Sequence, residues 1–191
     1  MIVSILQSLT SLLLAGVLCY AVFTSKKVRS RKKTQQVLLG LIFGVLVIVL
    51  GTNSFLMEPL RAPFDAKSGP LIFAGYLGGP IGASIAGICG ALYRLSLGGP
   101  SPFLGVFMNL AIPTVGLAVS FLHPPRHWQV THVSTIGIIL VGFALLHLVP
   151  FWYLSTFAQG ANPVSAAAET ATAFTIVGSL SILVTWQILD Y

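Results

Sequence analysis

Apolar residues run almost without charge through five stretches of the chain, residues 2–23, 37–52, 103–122, 133–154 and 171–189. A helix needs about 20 such residues to cross the hydrocarbon core of a bilayer, so each stretch predicts a spanning helix, the second a short one. A sixth apolar stretch, Ser68–Leu97, has a different texture. It carries Gly69, Gly75, Gly78, Gly79, Gly82, Gly87 and Gly90, with Pro80 near its middle. Proline lacks the N–H that a helix interior uses, and paired glycines raise the entropic cost of helix. Gly78, Gly79 and Pro80 therefore predict a hinge. Each side of it holds about 10 to 12 residues, roughly half a bilayer at the helical rise. Such a segment either crosses once as a kinked sixth helix or folds back as two half-helices in a re-entrant hairpin. The predicted fold is all-α: a polytopic membrane helical bundle of five spanning helices plus this broken segment, one membrane-embedded domain over residues 1–191.

Composition supports that reading. Of 191 residues 55% are hydrophobic and only 7% are charged, with mean hydropathy +0.93. A soluble domain carries about 25% charged residues, so too few are present here to cover a water-facing surface. The contacting medium is membrane lipid.

Charge then orients the chain. The net charge is +6, and six of the ten basic residues are Lys26, Lys27, Arg29, Arg31, Lys32 and Lys33. Flanked on both sides by spanning stretches, this run reads as a membrane loop rather than a nucleic-acid patch. Basic loops stay on the cytoplasmic side, which puts the N-terminus outside and residues 53–66 extracytoplasmic. Positive charge follows the first apolar run instead of preceding it, so that run is an anchor and not a cleaved signal peptide. If Ser68–Leu97 is a hairpin, both its ends return to the outer face. The loop with His123, Pro124, Pro125, Arg126 and His127 then falls inside together with the C-terminus. A single crossing would place that loop and the C-terminus outside, so the charge rule favours the hairpin.

Ionisable side chains at membrane depth are costly and mark functional sites. The set that stands out is Asp65, Lys67 and Arg94 around the glycine-rich segment. In a hairpin Lys67 and Arg94 return to one mouth, where they and the positive end of a half-helix suit a small carboxylate. The bland alternative is that both snorkel to the interface as anchors. Asn109 on the next helix is placed to line a cavity, or to pack. Glu58 and Arg61 read as solvated loop charges, and Glu169 as a carboxylate in the first turn of the last helix. His147 fits a helix–helix hydrogen bond. His123, His127 and His132 have no metal-ligand spacing, and Cys19 and Cys89 belong to no paired motif, so neither metal nor disulfide is expected. Gly40 with Gly44, and Gly82 with Ala86 and Gly90, repeat at the four-residue spacing of close helix contacts. Packing within the chain accounts for them better than a homodimer. No phosphate-binding loop, nucleophile elbow or zinc-protease motif occurs. The segment is expected not to be an enzyme and to need no cofactor.

From Phe64, Asp65, Ala66 and Lys67 through Gly78, Gly79 and Pro80 to Tyr93, Arg94 and the closing Gly98 and Gly99, the chain resembles the five-transmembrane receptor domain of the LytS–YhcK type. The resemblance is strong over residues 57–99 and extends elsewhere mainly to the number of helices. It implies a sensory input module in the bacterial cytoplasmic membrane, of the kind that precedes histidine kinases or cyclic-di-GMP enzymes. Some relatives of that type respond to small carboxylates such as pyruvate. By position it implies Lys67 and Arg94 as the basic ligand contacts and Asp65 as their acidic companion. The chain departs from the pattern in two places. Lys67 stands where the pattern has Arg, which removes a planar fork suited to bidentate carboxylate capture. Gly105 and Met108 stand where some relatives have Cys and Ser.

The expected function is therefore a transmembrane sensor that binds a small anionic ligand near the outer face and signals through the last helix. Asp190 and Tyr191 would lead into a cytoplasmic output domain, fused or partnered. The runner-up is a substrate-binding membrane subunit of a small-solute transporter, since broken helices also build transporter sites.

Overall fold

The structure, a computed structural model, describes residues 2–57, 62–64, 66–98, 102–125, 133–157 and 163–190. Helix α1 (Ile2–Thr24) is followed by the single turn α2 (Lys26–Arg29) and by α3 (Lys32–Thr52). Two three-residue strands, β1 (Phe55–Met57) and β2 (Ala62–Phe64), pair antiparallel with Phe55 opposite Phe64. Then come α4 (Ser68–Leu97), α5 (Pro102–Leu122), α6 (Val133–Leu146), α7 (Leu148–Phe157) and α8 (Pro163–Asp190). Among the described residues six helical stretches are long and apolar enough to cross a membrane, with α6 and α7 forming one of them. The chain is a polytopic helical bundle.

Several boundaries differ from the sequence expectation. The second span starts at Lys32 rather than at residue 37. Lysine and glutamine are good helix formers, and at an interface their long stems lie along the apolar surface while their polar ends reach water. The fourth span breaks at His147, because Pro150 three residues on has no N–H for the carbonyl of Leu146 and its ring crowds that turn. The last helix begins at Pro163, a favoured first helical residue. Glu169 therefore sits beyond the first turn, exposed, and is not the dipole partner expected of it. The two strands answer to no strand signal in the apolar pattern.

The break in α4 decides the architecture. Gly79 has φ 60° and ψ −158°, a backbone conformation that glycine alone adopts without strain. A Cβ on Gly82 would lie 2.8 Å from the carbonyl oxygen of Ala74. In an unbroken helix those two residues stand about 12 Å apart along the axis. Gly75 and Gly87, about 18 Å apart in an unbroken helix, both pack on Pro113 of α5. The segment is thus a folded-back hairpin. Its arms are unequal, in contrast to the two half-spans expected. The first, from Ser68 to Gly78, is roughly 16 Å long, and the second, from Pro80 to Leu97, roughly 27 Å, close to a full bilayer crossing.

Glycines on the neighbouring helices set the directions. Gly40 meets Gly82 and Ile85, Gly44 meets Ala86 and Cys89, and Gly51 meets the ring of Tyr93. The second arm therefore runs alongside α3 in the same direction, starting beside Gln36 near the basic end of the molecule. Helix α5 runs back against it, with Gly105 on Arg94, Asn109 on Gly90 and Pro113 on Gly87. Gly16 of α1 meets Ile188 near the end of α8. The hinge, the end of α5 and the end of α8 consequently share the face that carries the basic run of α2 and α3. The short first arm starts about half-way across. Leu71, Ile72, Phe73 and Ala74 on it are fully buried, and they form the centre of the core with Leu39, Phe43 and Val47 of α3.

Candidate functional site

The start of the first arm is the most unusual place in the bundle. A helix leaves its first N–H groups without partners, and inside a membrane each must find one. Leu71 N–H reaches the Lys67 carbonyl at 3.0 Å, and Pro70 has no N–H to satisfy. Gly69 N–H donates to the hydroxyl of Ser181 on α8 at 3.1 Å. The same hydroxyl donates to the carbonyl of Ala66. Ser181 therefore caps the half-helix from another element and fixes the chain on both sides of Lys67. The fit is close because Gly69 has no side chain: a Cβ there would strike Thr185 Oγ1 and the Ser181 carbonyl. Gly178, one turn earlier on α8, packs on the Phe143 ring and lies near Ser68 Oγ. Gly178, Ser181 and Thr185 make one face of α8 by helical spacing, and that face seats the half-helix.

Arg94 occupies the second arm near its far end. It is 7% exposed, an unusual setting for a guanidinium, and its Nη1 donates to the Gly98 carbonyl at 2.7 Å. Gly98 closes the helix with φ 62°, which turns that carbonyl back to Arg94. The stem of Arg94 lies flat on α5 at Gly105, where a Cβ would meet its Cγ and Cδ at 2.8 Å. Asn109, one turn along α5, is 1% exposed, and its Nδ2 donates to the Gly105 carbonyl at 2.7 Å.

Of the residues singled out from sequence, Lys67 and Arg94 stand at the open end of one hairpin. Counted from Gly79, they lie roughly 18 and 22 Å along their arms. They rest against different helices, the Lys67 segment on α8 and Arg94 on α5. Asn109 joins Arg94 through Gly105. The candidate residue Asp65, with Glu58, Arg61, Gly99, Arg126, His127 and His132, lies outside the described residues. His147 is buried at the α6–α7 break, its Nδ1 2.9 Å from the Phe143 carbonyl and its ring 4.4 Å from the Phe143 ring. It bonds back to the last turn of α6 and not across to another spanning helix as expected. Ser181 and Thr185 escaped the sequence reading. The available signal was a glycine and two hydroxyl residues on one face of an otherwise apolar helix.

The described residues form a helical membrane bundle organised round a re-entrant hairpin, with Lys67 and Arg94 near its open end. The chain belongs to the five-transmembrane receptor family: the family model described as "5TMR of 5TMR-LYT" matches residues 17–190. No curated protein and no solved structure matches the chain. Membership makes this a transmembrane sensory domain of a signalling receptor, a type of domain that is not itself catalytic.

Proposed function

We propose that the domain binds a small carboxylate between Lys67 and Arg94 at the extracytoplasmic end of the hairpin and reports it through α8 to a cytoplasmic histidine kinase or cyclic-di-GMP enzyme. The observation that carries this reading is Ser181, which ties the backbone on both sides of Lys67 to the helix that leads to the cytoplasm. A ligand changes a receptor only by binding one of its conformations more tightly than another. An anion drawing Lys67 toward Arg94 would pull on Ala66 and Gly69, and thereby on α8. The six cations at the face where α8 ends support this orientation, since basic loops remain cytoplasmic. The bacterial cytoplasmic membrane is the corresponding location. Family membership favours this reading over a transporter subunit.

The test is calorimetric titration of small monocarboxylates into the purified protein, with Trp186 emission followed in a Trp128→Phe, Trp152→Phe background. Trp186 packs against the core from α8 and senses its movement. Charge-assisted hydrogen bonds are among the stronger ones, so Lys67→Ala and Arg94→Ala should each weaken binding about tenfold or more. Ser181→Ala should keep binding but lose the emission change. Unchanged affinity in both basic variants would place the ligand elsewhere.

A further inference from the structure

The basic end of the bundle carries charge that the fold leaves uncompensated. Lys26, Lys27, Arg31, Lys32 and Lys33 are exposed. Among the described residues none of these five side chains has an ion pair or a hydrogen bond. No Asp or Glu occurs before Glu58, and among the described elements that reach this face Asp190, at the end of α8, is the one acid. Lys32 and Lys33 stand in the first turn of α3, where the helix dipole opposes cations and no acid offsets them. Nor do these charges ride on a loose tail. Val28 packs against the core. Arg31 N–H donates to the Val28 carbonyl at 2.9 Å, and Gln35 N–H to the Arg31 carbonyl at 3.0 Å. The cations are held on a folded frame before any partner arrives, which lowers the entropic cost of binding.

The residues next to them identify the partner. On α3, Lys33, Val37, Leu41 and Val45 follow at four-residue spacing and form one ridge. Lys33 is exposed, and the three apolar residues are each more than a third exposed. From Lys33 to Val45 is about 18 Å, close to the depth of one leaflet. A soluble anion would meet the cations alone, and an acidic protein segment would leave the ridge uncovered. An amphiphile with an anionic headgroup meets both. We propose that α2 and the start of α3 hold an anionic phospholipid of the leaflet at this face. Its phosphate lies among Lys26, Lys27, Arg31, Lys32 and Lys33, and an acyl chain runs along Val37, Leu41 and Val45. Near an anionic lipid surface each such cation contributes about fivefold in affinity. The lipid also braces the start of α3, whose Gln36 packs over Gly79 at the hinge. This lipid site stands apart from the carboxylate site, which is at the other end of the hairpin.

Purified protein in uncharged micelles, titrated with fluorescent phosphatidylglycerol or with phosphatidylcholine of the same chains, reads the headgroup preference whatever the orientation in a membrane. Phosphatidylglycerol should bind about tenfold or more tightly and raise the thermal midpoint. Most of that preference should vanish at about 1 M salt, where charges are screened within about 3 Å. Lys32→Gln with Lys33→Gln should weaken phosphatidylglycerol binding about tenfold or more, whereas Lys32→Arg with Lys33→Arg should hold it within about threefold. Lys26→Gln with Lys27→Gln provides a second neutralised variant should α3 not form without its lysines. Glycerol 3-phosphate, which has the phosphate but no chains, should not displace the phospholipid at equal concentration. Equal binding of the two phospholipids by the wild type overturns the proposal, as does a phosphatidylglycerol preference that survives both neutralised variants. Displacement by glycerol 3-phosphate would make this a site for soluble phosphates and overturn the lipid assignment.

Discussion

Helices α1 and α4 are both apolar enough to cross a membrane, yet 17% of one span and 67% of the other are buried within the bundle. The apolar side chains of α1 face outward: Leu13, Leu14 and Val17 are each more than half exposed, as a lipid-facing surface should be. Those of α4 face other helices. Hydrophobicity does not separate the two, because lipid and protein interior accept the same residues. Glycine does. Helix α1 has Gly16 alone, whereas α4 has one glycine in nearly every turn, and these admit the backbones of α3, α5 and α8 at close range. A membrane helix becomes central when its small residues let neighbours approach, since tight packing there takes over the role that water expulsion plays in soluble proteins.

The sharpest way to break that contrast is to fill the closest crossing. A Cβ on Gly75 would collide with the Pro113 carbonyl, and one on Gly116 with the Ile72 carbonyl. Both obstacles are backbone and cannot rotate away. Gly75→Leu and Gly116→Leu should each cost about 3 kcal/mol or more, the upper end of overpacking. Gel filtration in detergent would then show aggregated protein in place of a single species. Gly16→Leu meets the γ2 methyl of Ile188 at 2.8 Å and leaves the Ile188 carbonyl at an ordinary 3.8 Å, so it should be tolerated better and remain monodisperse.

The hinge offers a smaller and more specific probe. Gly79 combines a positive φ with the Gln36 amide packed over it. Gly98 has a similar φ of 62° but nothing within 4 Å of where its Cβ would be. Backbone strain of this kind costs about 1–3 kcal/mol. Gly79→Ala should therefore lower the thermal midpoint more than Gly98→Ala, and Gly79→Ala with Gln36→Ala should recover the difference. Equal losses in both glycine variants would mean that strain alone, without the Gln36 contact, sets the cost of the hinge.

These elements differ in how far the sequence discloses them. The hinge was legible because Gly-Gly-Pro disrupts helix by local chemistry, whatever surrounds it. The face-to-face glycines of α3 and α4 were legible because four-residue spacing is itself the packing geometry. The length of the second arm was not, since nothing between Pro80 and Leu97 marks mid-membrane; the arm is long because α3 and α5 accompany it to the far face. Ser181 was also hidden. A serine in an apolar helix usually bonds to its own backbone, and only the fold brings Ala66 and Gly69 across from more than a hundred residues away. Arg94 and Asn109 could be named as polar residues at depth, but their meeting at Gly105 follows from the register of two antiparallel helices.

The mildest test concerns the lipid-facing side of the comparison. Leu13 is 57% and Leu14 60% exposed, and both project from α1 away from the bundle. Truncation there opens no cavity, because lipid chains fill the space, and alanine is the better helix former. Leu13→Ala and Leu14→Ala should thus shift stability in micelles by no more than about 0.5 kcal/mol, the range of surface substitutions away from special features. Leu71→Ala, deep in the first arm at 0% exposure, should cost about 2–5 kcal/mol as a cavity in the core. The comparison needs that asymmetry. If the α1 variants lost as much as Leu71→Ala, the outer surface of α1 would be a protein contact, and the division between a lipid-facing helix and a protein-facing hairpin would have to be redrawn.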